Sequence, residues 1–345
     1  MEEFGSDFHL CEINHHTSHN FFNNNIRYYA CGRHAIDTIV HHMEWNRMWI
    51  PAYFCYEVIE HIKRIGIKIK FYDDHPLSKD DNALVKNLPY ENGDVLLRMN
   101  YFGLRHKRSN QGIPVPVIED HSHDLISDWA LHSDADWCIA SLRKTLPIAA
   151  GGILWSPIGK ELPKQIESTS LCEQMASIRY DAMCMKRDYL FKSIGDKHFF
   201  REKYIQSENM LAHLPMSGID KKSLEVIQAM DIEWWTHQKC ENWHTAISII
   251  SRHISVLETF DKNNLHPFSL VLLCKSFDER IKLRQYLIDN CIYPAVLWQI
   301  PDNSYFIDAL DFSKKMLSIH CDARYNQKQI RRMCDIIIEF FWKNN

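Results

Sequence analysis

Apolar residues along this chain gather into short runs, and the segments between several of those runs show helical spacing. Trp49-Ile50-Pro51 reads as a short buried strand, and Ile67–Tyr72 alternates as a strand should. Asp94–Met99, Val115–Asp120, Asp136–Ser141 and Gly152–Trp155 continue the strand series. Ala35–Met43 carries Ile36, Ile39, Val40 and Met43 at helical spacing. A second helix, Cys55–Ile65, stops at Gly66. From Glu161 to Ser255 the pattern is helix-rich, with helices expected over Met183–Ile194 and Leu224–Ile254, the second broken near Trp234-Trp235. After Pro267 come a strand (Phe268–Cys274), a helix (Phe277–Asn290), a strand (Met316–Ile319) and a closing helix (Gln327–Trp342).

Short strands alternating with helices predict an α/β fold: a three-layer α/β/α large domain around a mainly parallel sheet. The change of pattern near residue 250 predicts a smaller C-terminal α+β domain, giving domains 1–250 and 251–345. The first 25 residues show little periodicity.

Composition narrows the classes. The chain has 345 residues, with 40 Lys plus Arg against 44 Asp plus Glu, so the formal charge is −4. A nucleic-acid binder would need a basic face, so no nucleic-acid partner is expected. No apolar run approaches the roughly 20 residues that span a bilayer, so no membrane partner is expected. The acidic, polar start MEEFGSDFHL does not read as a signal peptide, which predicts a cytoplasmic protein.

The chain also has 20 His and 11 Cys, which raises the question of a metal. No CxxC pair occurs, an odd cysteine count cannot pair fully, and most cysteines sit among apolar neighbours, where they read as packing. His15-His16 falls in a polar, Asn-rich stretch, and His41 and His42 are adjacent on a helix and so point apart. No converging ligand set emerges, and no metal is expected. His121 and His123 stand apart, because they follow Glu119-Asp120 at the end of an apolar run.

In open α/β sheets the ligand lies beyond the carboxyl ends of the strands. Gly32 precedes a helix N-terminus, which offers free backbone N–H groups to an anion. Tyr53, Phe54 and Cys55 follow the first strand; Asp120 ends another, with His123 three residues on. Ser141 and Lys144 follow the next strand, and Gly151-Gly152 supplies a tight turn. Singly, each has an ordinary structural explanation: a cap, a turn, a solvated lysine. Together, a phosphate cradle, an aromatic shelf, a carboxylate and a lysine are the parts that hold pyridoxal phosphate.

The stretches CGRHAI (31–36), WIPAYFC (49–55), MNYFGL (99–104), VIEDHSHDL (117–125), SLRKTLP (141–147) and GGIL (151–154) resemble the fold type I pyridoxal-phosphate enzymes, and most of all the DegT-type (DegT/DnrJ/StrS) sugar aminotransferases. IYPAVLW (292–298) and LSIHCDARY (317–325) fit more loosely. The resemblance implies Lys144 as the Schiff-base lysine and Asp120 as the partner of the pyridine nitrogen. It puts His123 near the phenolic oxygen. Backbone N–H groups after Gly32, at Arg33 and His34, and the Ser141 hydroxyl would hold the phosphate. Phe54 or Tyr53 is the ring-covering aromatic, unless Cys55 takes that place. Arg324 is the candidate clamp for a substrate carboxylate, with His320 nearby. An amino-acid donor, a keto acceptor such as a sugar nucleotide, and a homodimer follow from the same resemblance. Other pyridoxal-phosphate chemistry (lyase, dehydratase, C–C bond formation) and a non-catalytic regulator stay open. Arg143 and Thr145 flanking the lysine, and His320–Ala323, depart from the family's pattern.

Overall fold

The computed structural model describes residues 2–14, 25–258 and 266–344, so His15-His16 lies outside the described residues. Its elements are β1 (Phe4–Gly5), β2 (Ile26–Tyr29), α1 (Gly32–His42), β3 (Arg47–Pro51), α2 (Tyr56–Arg64), β4 (Lys68–Tyr72), α3 (Asn82–Lys86), β5 (Asp94–Met99), β6 (Val117–Asp120), α4 (Asp128–Leu131), β7 (Trp137–Ala140) and β8 (Gly152–Trp155). Then follow α5 (Ser170–Lys192), α6 (Lys197–Ala212), α7 (Lys221–Ala229), α8 (Ile232–Ile250), β9 (Ser255–Val256), β10 (Leu270–Leu273), α9 (Phe277–Asp289), β11 (Ile292–Tyr293), α10 (Ile307–Lys315), β12 (Met316–Ile319) and α11 (Gln327–Asn344).

Seven strands form the main sheet in the order β2-β8-β7-β6-β5-β3-β4. β4, β3, β5, β6 and β7 run parallel, and β8 and β2 close one edge in antiparallel pairs. The parallel strands are fully buried except β4 at the far edge, which explains their continuous apolar runs. Parallel pairing places the ends of β5, β6 and β7 side by side, with Met99 opposite Asp120 and Asp120 opposite Ile139.

The helix-rich middle differs in detail from the sequence reading. α5 is 23 residues long and begins at Thr169, whose hydroxyl accepts the Cys172 N–H. The expected helix break falls a few residues before Trp234-Trp235, because Asp231 caps α8 by accepting the Trp234 N–H at 2.8 Å. In the C-terminal part β9, β10 and β12 make an antiparallel sheet. The chain start packs here in a separate two-stranded sheet: β1 pairs in parallel with β11, and Gly5 N–H donates to the Tyr325 hydroxyl at 2.8 Å. One apolar cluster runs from α1, β3 and β5 through β10 and β12 to α11. No described helix is long and apolar enough to cross a membrane.

Candidate active site

The lysine loop is built by short-range bonds. After β7, Ser141 N–H donates to Ser122 Oγ at 2.8 Å and Thr145 Oγ1 donates to Ser122 O at 3.1 Å. Trp235 on α8 donates its indole N–H to Thr145 O at 3.1 Å. Residues 142–144 therefore turn tightly beside the loop that follows β6. On that loop Asp120 is buried, and one carboxylate oxygen accepts the Ser122 N–H at 2.8 Å. Its other oxygen has no partner among the described residues and is left for a ligand.

The start of α1 faces the same place. Cys31, its N-cap residue, makes no side-chain cap, and the first turn holds no acid, so the leading N–H groups are left for an anion. The segment is clamped from behind, where Gly151 N–H donates to Ala30 O at 2.8 Å. Gly152 allows that approach: a Cβ there would run into the Cys31 carbonyl and lie 2.6 Å from Gly32 N. These elements enclose a recess of about 70 Å³ lined by Gly32, Arg33, Asp120, Ser141, Arg143 and Lys144, among others. Arg143 and Lys144 also line a cleft of about 990 Å³, so the lysine stands where the two meet.

His123 forms part of the cleft wall. Its ring stacks on Phe268, with centroids 4.3 Å apart, and on Trp298 at 5.3 Å. Burial first, then the charges of Lys144, Lys239 and the nearby His320, hold its pKa well below the usual histidine value. The ring is therefore neutral. Nδ1 accepts the Phe102 N–H at 3.0 Å, which assigns the proton to Nε2. That buried N–H has no partner among the described residues. An orphaned donor, a carboxylate with one oxygen to spare, an uncapped helix start and a lysine fit pyridoxal phosphate, anchored in the recess and reaching the cleft.

Three expected roles change. The His34 N–H donates to Cys31 O at 3.1 Å, so it is spent within the helix start. The His34 ring is buried and bridges to the 214–217 segment, with Nε2 3.2 Å from Leu214 O and Nδ1 3.4 Å from Ser217 N. Phe54 lines neither cavity; it is buried against Trp298 at 5.8 Å, and Cys55 is the residue of that loop facing the recess. Arg324 is not a free clamp: Nε and Nη2 hold Asp322 at 2.8 and 2.9 Å, and its side chain is 1% exposed. Burial works to raise the Asp322 pKa, yet Arg324 holds it at about 2.

Sequence reasoning missed the charged walls of the cleft. Arg143 holds Glu208 at 2.6 Å, Glu208 is shared with Arg179 at 2.5 Å, and Arg179 reaches Asp7 at 2.8 Å. Lys197 is taken by Glu3 and the Tyr293 hydroxyl. Arg201 on α6 and Arg284 on α9 also line the cleft, exposed and without an ion pair among the described residues. Elsewhere, on the sheet's interior, Glu119, His121 and Cys138 lie close enough to hold a metal ion. The Glu119 oxygens already accept from Asn110, Trp129, Ser133 and His121, so that carboxylate is taken up by the protein, while the buried His121 Nδ1 has no partner among the described residues.

No protein-family model and no curated protein matches the chain. Solved structures do. PseC of Helicobacter pylori, an aminotransferase involved in the biosynthesis of pseudoaminic acid, aligns with a TM-score of 0.64 at 13% identity over 99% of this chain and 100% of its own. A Streptococcus pneumoniae protein in its PLP form aligns with a TM-score of 0.63 at 12% identity over 96% and 93%. A DegT DnrJ EryC1 StrS aminotransferase from Brucella abortus aligns with a TM-score of 0.57 at 12% identity over 92% and 86%. The chain has the fold of the DegT-type, pyridoxal-phosphate-dependent aminotransferases, as its strand-end motifs imply.

Proposed function

We propose that this chain is a pyridoxal-phosphate-dependent aminotransferase that passes an amino group from an amino-acid donor to a keto acceptor. The observation that carries the reading is the placing of Lys144 at the junction of recess and cleft, beside Asp120 and the open start of α1. When bound, the cofactor supplies an electron sink conjugated to the carbon that gains or loses nitrogen. The residues would divide the remaining work. The leading N–H groups of α1, at Gly32 and Arg33, and the Ser141 hydroxyl bind the phosphate. Asp120 would pair with the protonated ring nitrogen. His123 donates Nε2–H to the phenolic oxygen. Lys144 would hold the cofactor through its Nζ and, once free, would move a proton at that atom as base and then acid.

The acceptor is read as anionic, a keto sugar nucleotide being the class that fits best. Arg201 and Arg284 line the cleft with no ion pair among the described residues, two local cations on a net-acidic chain. The active form is read as a homodimer, because Phe191, Ile194, Phe199 and Ile205 leave an apolar face exposed on the α5–α6 hairpin. Eleven free cysteines suit a reducing cytoplasm. The division into 1–250 and 251–345 is retained as a proposal for how the cleft is walled.

Reconstitution tests the function. Purified protein given pyridoxal phosphate should turn yellow, and Lys144→Ala should abolish that colour. Glutamate or another amino acid should then bleach the yellow form to the pyridoxamine form. A wild-type protein that turns yellow but is bleached by no amino acid would point to another reaction type.

A further inference from the structure

Lys144 lies against an aromatic face to which the strand-end motifs give no role. Its Nζ is 5.4 Å from the ring centroid of Trp298, inside cation–π range. The same indole lies nearly parallel to His123, with 18° between the planes. It is 9% exposed, so water competes poorly for the cation. The backbone that carries it is fixed on several sides. Ser313 Oγ donates to Trp298 O at 2.7 Å and accepts the Ile300 N–H at 3.0 Å. The Tyr53 hydroxyl donates to Leu297 O, and the Leu297 N–H points at Met316 Sδ, 3.3 Å away. Tyr53 and Phe54 back the indole, each with its centroid 5.8 Å away. A ring this constrained can hold a flexible lysine without reorganising.

We propose that Trp298 is a positioning residue that receives the Lys144 ammonium on its face whenever the lysine is free, and keeps it at the junction of recess and cleft. A free lysine side chain gives up much of its rotamer freedom when fixed. An aromatic seat offsets part of that loss and keeps Nζ within reach of the carbon it must serve. The inference rests on Lys144 being the cofactor lysine, yet its readout does not use the cofactor.

The test is trinitrophenylation of the cofactor-free full-length chain at fixed pH, with each lysine counted by peptide mass spectrometry. Trp298→Leu should raise the rate at Lys144 about three- to tenfold, with Trp298→Phe between it and wild type. Exposed Lys68 serves as the internal control and should not change. An unchanged rate at Lys144 in a folded Leu variant overturns the proposal. Should that variant fail to fold, the wild-type chain decides. After reductive methylation with labelled formaldehyde, the Lys144 methyl signal, assigned by Lys144→Arg, should be displaced upfield by the indole ring current. A signal at the position of the exposed lysines overturns the proposal. Failure to turn yellow with pyridoxal phosphate would sink the cofactor reading alone, leaving the seat intact.

Discussion

The recess and the cleft meet at Lys144 but are built on opposite plans. The recess combines the backbone of the α1 start and the short side chains of Asp120 and Ser141 with Arg33, Arg143 and Lys144, and Gly152 lets the α1 start close against β8. The cleft is walled by long charged side chains from α5, α6, α9 and the chain start. Several of these, Arg143, Arg179 and Lys197, are already held by acids of this chain. The first plan suits a group that never changes, since a backbone cradle has no rotamer to lose. The second suits ligands that come and go, because exposed charges attract and release at small cost.

Substitutions should therefore act unequally on the two regions. The largest effect is expected from Gly152→Ala, because the added Cβ collides with backbone at Cys31 and Gly32, which cannot step aside. It should cost about 1–3 kcal/mol of stability and demand far more pyridoxal phosphate to reach full colour. Denaturant melts and a cofactor titration check both; an unchanged titration would break the idea that the recess is rigid. Next comes the double variant Arg201→Gln with Arg284→Gln. It should raise KM for an anionic acceptor about tenfold while leaving colour and the amino-acid half-reaction unchanged. Equal losses in both half-reactions would show that the cleft does not separate donor from acceptor.

The least local effect concerns pH. Burial holds His320 and His9 at about 4 in the folded chain, against an ordinary value of about 6.5. A depressed histidine favours folding fully above its unfolded value and loses that contribution as pH falls toward the folded one. Stability should thus drop between pH 7 and 5, by about 2 kcal/mol for each of these histidines. His320→Asn should flatten the decline without altering the acceptor's KM at pH 7.5.

The recess was legible in the sequence because its parts are local. Asp120 and His123, or Ser141 and Lys144, each lie three residues apart just after an apolar run, so strand and function are read together. Side-chain direction was not legible. Whether Phe54 or Cys55 faces the cofactor depends on the turn after β3, and apolar character at both positions carries no signal for it. The resemblance gives His34 a backbone N–H role at the helix start, and nothing local marks that its ring leaves on the side of the 214–217 segment. Arg324 offered a clue that went unused: Asp322 stands two residues before it, close enough to take the guanidinium. Arg201 and Arg284 carry no local mark, because a charged residue on an amphipathic helix looks the same whether it meets solvent or a substrate.

Arg143, Glu208, Arg179 and Asp7 alternate in sign from the neighbour of Lys144 to the chain's seventh residue. The two inner groups are each shared, so loosening one end changes what the other end holds. The leading segment is thereby wired to the lysine loop like the last card in a leaning row. That wiring makes residues 2–7 a worse place for a substitution than the exposed face of α11.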